Sequence, residues 1–347
     1  MLTFYFLVLI FLSSLVFSFM EDSLTSNQKK IILACFAFFM ILVTATKDKQ
    51  HIADAVIYED MFYNYDTPLV KISTEPTFVF ISKVVITLGG TIVSVFLIYA
   101  LLSIPLKLYV FSKATPYVLT SLVIYIPTYY ELHDMIQIRA AVAGAFAIAS
   151  ILPLSKKNYL GALLLMVVGI LFHYSAAVFL PMILIGNYKL GKSLRIAIAC
   201  LFPVFFLMYW KSVDLSSFIP DSLMWGKIAF YKNMNNGTIT GLHRDGFYMA
   251  KCAMMYVCLY YYDYLVKKNQ LAQLVLCFFF ISVFFILAFN TIPVLASRIS
   301  DLFGIIDGIV FTYCFYLLSP NYVARSVVAL VGIYKFLYNF LYMGYFH

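Results

Sequence analysis

Charge is scarce in this chain of 347 residues: Asp, Glu, Lys and Arg together make up 12% of it, about half of what a soluble globular domain carries. With hydrophobic residues at 63% and a mean hydropathy of +0.92, that shortage excludes an ordinary water-soluble domain and leaves an all-α, polytopic membrane protein. Motifs of common chemistries are missing as well. No GxxxxGK(S/T) loop, HExxH helix or GxSxG elbow occurs, so phosphate-cradling, zinc-hydrolase and serine-hydrolase readings lack their motif. The six cysteines form no CxxC pair and fall inside or at the edge of apolar stretches, which argues against a disulfide framework or a structural zinc site. No internal repeat or low-complexity tract is found.

What the chain has is apolar text. Runs near 2–19, 31–46, 77–105, 116–131, 136–154, 159–172, 175–187, 194–210, 246–265, 270–289, 302–318 and 326–346 have roughly the length that crosses a bilayer, which predicts about 12 transmembrane helices (11–13) in a single membrane domain over 1–347. The stretch Met1 to Met20 has no basic flank or clear cleavage site and reads as a retained span. The formal charge of +8 is what basic loops on one side of a membrane produce and implies no nucleic-acid partner. Lys29, Lys30, Lys107, Lys113, Lys156, Lys157, Lys189, Lys192, Arg195, Lys267, Lys268 and Arg325 fall in alternate loops, which places those loops in the cytoplasm. The long connections 47–76 and 211–245 then lie outside. In the first, Asp54, Tyr58, Met61, Phe62 and Tyr65 recur at helical spacing, as in an amphipathic surface helix. In the second, Pro220-Asp221 suggests a helix start, Trp225 an interfacial anchor and Asn236 a sequon. The Gly89-Gly90 pair inside 77–105 divides that run into a half-helix and a span; a full crossing there would invert everything after it.

One polar knot interrupts the apolar text: Glu131, His133, Asp134, Gln137 and Arg139, followed by small residues from Ala140 to Ala147. Charge at membrane depth is costly and by default marks a functional site. Asp134-Met-Ile-Gln137 has the form of a helix cap, whereas Arg139 needs an anion, either an acid of a neighbouring helix or a phosphate. His133 and Gln137 share a helical face. His173 sits in an interfacial turn and is the side chain most easily poised for proton transfer. Glu75-Pro76 opens an apolar run in the manner of an ordinary helix start. Arg298 and Asp301, three apart at the mouth of a late span, suit a local ion pair or leave Arg298 for a phosphate. Lys83 and Asp307 are the clear deep charges in this assignment.

Asp54 with Tyr58, Glu75-Pro76-Thr77-Phe78, the Ala-rich helix after Ile138-Arg139, Phe172-His173-Tyr174-Ser175-Ala176 and Ser297-Arg298-Ile299 resemble, in this order, the EpsG family of Wzy-type polysaccharide polymerases. The family often reads Arg-Gln at the helix start; here Ala140 follows Arg139 and Gln137 precedes it. The resemblance implies a GT-C-like architecture in a bacterial inner membrane and a glycosyltransferase working at the periplasmic face without nucleotide sugar, metal or other cofactor. Its substrates would be oligosaccharide repeat units on undecaprenyl diphosphate, polymerised into O-antigen or a related polysaccharide, with membrane lipid and a chain-length regulator protein as further candidate partners. Arg139 and Arg298 would stabilise the leaving diphosphate and His173 would act as base, with Asp54, Tyr58, Glu75, His133, Gln137, Arg244 and Asp301 as substrate-binding candidates. The rivals are a lipid-linked oligosaccharide flippase or transporter, whose charges should line a path through the membrane, and another polyprenyl-linked transferase or ligase.

Overall fold

The computed structural model of the chain describes residues 2–52, 54–186, 188–211, 246–288 and 293–343. The readings at Trp225, Asn236 and Arg244 lie outside the described residues. Among those described, every regular element is helical, in agreement with the all-α expectation. Five helices, Leu2–Ser23, Ser26–Ala45, Ile92–Ala114, Ile138–Ser155 and Asn321–Leu341, are long and apolar enough to cross a membrane, and a sixth arises if Leu295–Gly304 and Asp307–Leu317, bent by 55°, form one span. Other apolar runs are shorter helices, among them Pro76–Thr87, Tyr159–Phe172 and Ala272–Ala288.

In chain order the helices are α1 (Leu2–Met20), α2 (Ser26–Ala45), α3 (Ala55–Tyr63), α4 (Pro68–Ser73), α5 (Pro76–Thr87), α6 (Ile92–Ala114), α7 (Val118–Tyr125), α8 (Ile138–Ala149), α9 (Ile151–Ser155), α10 (Tyr159–Phe172), α11 (Met182–Ile185), α12 (Lys192–Trp210), α13 (Gly246–Tyr260), α14 (Tyr262–Lys268), α15 (Ala272–Ala288), α16 (Pro293–Gly304), α17 (Asp307–Phe311), α18 (Cys314–Leu317) and α19 (Asn321–Tyr338). Their starts follow local rules. Thr25 and Gln28 close a capping box on α2, Asn158 caps α10, and Pro68 and Pro76 occupy first helical positions where no N–H is needed.

Basic residues assigned from the sequence to cytoplasmic loops share clefts at one end. Lys29, Lys30 and Lys113 line one cleft; Lys113, Lys156 and Lys268 line the next. Arg195 pairs with Asp263 at 2.6 Å, and Arg325 with Asp22 at 3.1 Å. Lys107 departs from the sequence reading: it lies within α6, is fully buried, and faces Asp134 at 2.7 Å. Lys83, read as a deep charge, is exposed.

The run 77–105 is divided between two helices, α5 and α6. Gly89, at φ 73, supplies the left-handed residue of a tight turn, and α6 returns beside α5, with Tyr99 6.4 Å from Phe78 between ring centroids. At twelve residues, α5 is about 18 Å long, short of the ~30 Å hydrocarbon core. Of the two helices, α6 alone has the length and apolarity of a span.

At the centre stands α7, buried along its length, which continues as a π-helix over Ile126–Ile136. Pro127 removes the N–H that would bond to the Val123 carbonyl, and the chain relaxes to a wider turn, with Gln137 N–H donating to Leu132 O at 3.0 Å. Two buried networks grip this helix. Asp134 accepts from Lys107 (2.7 Å), Ser103 (2.5 Å) and Tyr125 (2.6 Å). Asp307 lies 2.8 Å from Lys251 and accepts from Tyr129 at 2.5 Å, while Lys251 donates to Ser282 at 2.6 Å. Asp134 is thus not a cap: the helix runs through it, and its carboxylate is the counter-ion of Lys107. Such pairs are tolerated in a low dielectric because each charge is answered by an opposite one; Asp134 has both oxygens hydrogen-bonded, whereas Asp307 Oδ1 has no hydrogen-bond partner among the described residues.

Glycines let two neighbours approach α7 at backbone distance. A Cβ on Gly308 would stand 2.5 Å from the Ser121 carbonyl oxygen, and one on Gly332 would stand 2.5 Å from that of Val123. Because backbone has little freedom to yield, Gly308→Ala and Gly332→Ala are each expected to destabilise the protein by roughly 1–3 kcal/mol. Thermal unfolding in detergent checks this; unchanged midpoints would show that the packing relaxes freely.

Candidate functional site

Three elements converge on Glu75. This residue is extended, at φ −73 and ψ 148, and its carboxylate does not cap the helix that follows. It reaches across instead. One oxygen accepts from Arg139 Nη1. The other lies 2.9 Å from His173 Nδ1 and accepts from the Tyr174 N–H at 3.4 Å. Burial opposes the Glu75 charge, but the His173 hydrogen bond and the charges of Arg139 and His173 outweigh it and hold the pKa down at about 2. The carboxylate is therefore ionised near neutrality and can only accept. An acceptor at that place fixes a proton on His173 Nδ1, so that in the neutral imidazole Nε2 is the nitrogen that bears the lone pair.

Each partner is placed by a break in helical structure. Arg139 is the second residue of α8, just past the bend at Gln137 (φ −99, ψ 63). His173 follows the last turn of α10 in extended conformation, before a 3-10 turn over Tyr174–Phe179. Thr77 Oγ1 donates to the Leu171 carbonyl at 2.7 Å and fastens the start of α5 to the end of α10. The Arg139 guanidinium carbon lies 5.5 Å from the Tyr58 ring centroid and 6.0 Å from that of Phe78, cation–π contacts that hold its plane. Tyr58 is buried on α3; burial pushes its hydroxyl pKa up, against the charge of Arg139. Asp54 stands at the start of α3 in the left-handed region, φ 66, with its charge bearing on Tyr58 and on Lys47.

A second wall comes from the π-helix and α16. His133 is buried, stacks on Tyr129 with centroids 5.9 Å apart, and approaches the Asp301 backbone without a hydrogen bond of good geometry, within charge range of His173. Arg298 and Asp301 are half-buried on α16. A Cβ on Gly144 would meet Leu302 at 3.6 Å; Arg298 lies one turn before Leu302, and Arg139 slightly more than one turn before Gly144. Gln137 is half-buried at the bend.

Depth follows from helix lengths. The fourteen residues of α10 put His173 about 21 Å from the basic end, and the span Ile138–Ser155 puts Arg139 at a similar height, roughly 21–27 Å from it. Of the buried polar atoms without a hydrogen-bond partner among the described residues, four belong to this region, Tyr99 Oη, Arg139 Nε and both ring nitrogens of His133; others lie elsewhere, at Arg195, Tyr313 and Arg325 among them. Buried polar groups are normally satisfied, so these four atoms leave hydrogen-bonding capacity beside Glu75 and Arg139. No group of three or more His, Cys, Asp or Glu among the described residues is placed to hold a metal.

Sequence reasoning missed Tyr99, Lys47 and Lys251. Tyr99 and Lys251 lie mid-run in apolar text, where only an unusual depth for a polar tip could have flagged them. The structure joins Glu75, Arg139, His173 and Tyr58 directly and sets Asp54, His133, Gln137, Arg298 and Asp301 around them; Arg244 is outside the described residues.

Compared with known proteins, residues 31–347 match the model of the EpsG family. No curated protein and no solved structure matches the chain.

Proposed function

The chain belongs to the EpsG family, and from that membership we propose that it is a membrane glycosyltransferase that polymerises oligosaccharide repeat units carried on undecaprenyl diphosphate. The observation that carries the reading is the Glu75 carboxylate joining a guanidinium to an imidazole at the end of the bundle opposite the basic residues. By the positive-inside rule that end is periplasmic.

A hydroxyl of the incoming unit attacks the anomeric carbon of the growing chain. The new C–O bond forms as the bond from that carbon to the diphosphate breaks; the hydroxyl proton passes to His173 Nε2, and undecaprenyl diphosphate departs. Glu75 holds the imidazole in the required tautomer and steadies the imidazolium once formed. Charge developing on the diphosphate meets the Arg139 guanidinium, whose Nε has no partner among the described residues, with Arg298 of α16 as the candidate second cation. Asp54, Tyr58, His133, Gln137 and Asp301 are the sugar-facing candidates. No step requires nucleotide sugar, metal or cofactor.

A flippase would need charges exposed along a path. The deep pairs Lys107–Asp134 and Lys251–Asp307 are closed off, with side-chain exposures of 0–4%, and this supports the enzyme. The deciding experiment supplies the purified protein with a lipid-linked repeat unit and no nucleotide sugar. A ladder of extended chains is expected. Failure to extend, with label crossing a vesicle bilayer instead, would replace the polymerase with a transporter.

A further inference from the structure

Lys47 is the first residue past the C-cap of α2, at the head of the 47–76 connection. Lysines at such positions usually extend into water. This one turns inward and is 4% exposed. Its ammonium donates to the Met135 carbonyl at 2.5 Å and lies 4.1 Å from the Phe96 ring centroid. One turn earlier, Thr44 Oγ1 donates to Tyr130 Oη at 3.2 Å and lies 3.5 Å from Met135 Sδ. The end of α2 is thereby fastened to the last turn of the π-helix.

That last turn is where the chain bends. Terminal helix carbonyls have no partner within their own helix, and the C-terminal end carries partial negative charge. Lys47 answers both with one cation. Two residues beyond Met135 stands Gln137, whose ψ of 63 redirects the chain into α8, and two residues beyond that stands Arg139.

We infer that Lys47 is a positioning residue: by holding the Met135 carbonyl with a charged donor it fixes the bend at Gln137 and so aims the Arg139 guanidinium at the substrate diphosphate. It touches neither reacting atom. The inference rests on the polymerase reading of the same site.

The groups facing Lys47 make the device sensitive to pH. Asp54, ahead of α3, and Asp134, on the π-helix, bear on it with favourable charge; beyond Asp134 lies Lys107, already paired. Burial outweighs the two carboxylates and brings the Lys47 pKa down to about 7. A cation with a lowered pKa is charged below that value and neutral above it, so the clamp weakens as pH rises through about 7.

The test is chain extension from the lipid-linked unit with Lys47→Met, Lys47→Arg and the parent protein, from pH 6 to 9. Lys47→Met is expected to lower kcat by about 10- to 100-fold with little change in KM. In the parent, kcat falls as pH rises above about 7; Lys47→Arg, whose charge does not titrate, keeps activity across that range. Thermal unfolding monitors whether Lys47→Met is folded, and if it is not, the profile of Lys47→Arg decides. Parent-like turnover in folded Lys47→Met, or the same alkaline fall in Lys47→Arg as in the parent, would overturn the role of Lys47. A parent protein that extends no chain would instead overturn the polymerase reading.

Discussion

Arg139→Ala is expected to abolish chain extension, lowering turnover by at least about 100-fold, while the protein still reaches the membrane and single repeat units are still delivered to their acceptor. The effect is large for two reasons. In the proposed reaction the cation lost is the one next to the developing diphosphate charge, in a pocket where Arg139 keeps only 17% of its side chain exposed and water screens little. Its removal also leaves the buried Glu75 carboxylate with His173 as the remaining side-chain partner, so the position of the imidazole is no longer fixed by a three-group arrangement. Arg139→Lys is expected to recover little, because a single ammonium cannot serve Glu75 and a diphosphate with the same fork of donors. A surface-glycan ladder on a gel reads the result. Full-length chains in Arg139→Ala would remove it from the site, and loss of even the single-unit product would favour translocation as the function.

His173→Ala should be nearly as severe, by about 100- to 10,000-fold in kcat, but with a different signature. The Glu75–Arg139 pair survives this change, so binding of the lipid-linked unit, and with it KM, should move little. Glu75→Gln separates the two effects: it keeps a hydrogen-bonding oxygen near His173 Nδ1 yet removes the charge that fixes the tautomer. Its activity should fall between that of the parent and that of His173→Ala. Parent-like kcat in His173→Ala, measured with purified protein, would transfer the base role elsewhere.

Those side chains were legible in the sequence for a physical reason. Glu75, Arg139 and His173 each sit where an apolar run begins or ends, and a charge at such a boundary stands out against the neighbouring text. Their contact was not legible. It depends on the Gly89 turn that folds α5 back on α6 and on the Thr77–Leu171 hydrogen bond, which join segments almost a hundred residues apart. Asp134 was misread because Asp-x-x-Gln is a capping pattern, and nothing local says that Pro127 has widened the helix and carried it through to Ile136. Lys107 looked like a loop lysine because its counter-ion is 27 residues away. Helical content and membrane character, by contrast, follow from composition and run length alone.

The depth of the site has a consequence for how substrate arrives. A pocket 21–27 Å above the basic end, by the rise of its helices, lies just beneath the far surface of a ~30 Å hydrocarbon layer. A carrier whose phosphates ride at the headgroup plane can reach it without leaving the bilayer: its isoprenoid stays among acyl chains while its sugars stay in water. Encounter is then a search in two dimensions, governed by the surface density of carrier in one leaflet, and the rate of chain growth should follow that density and not the bulk concentration of sugar.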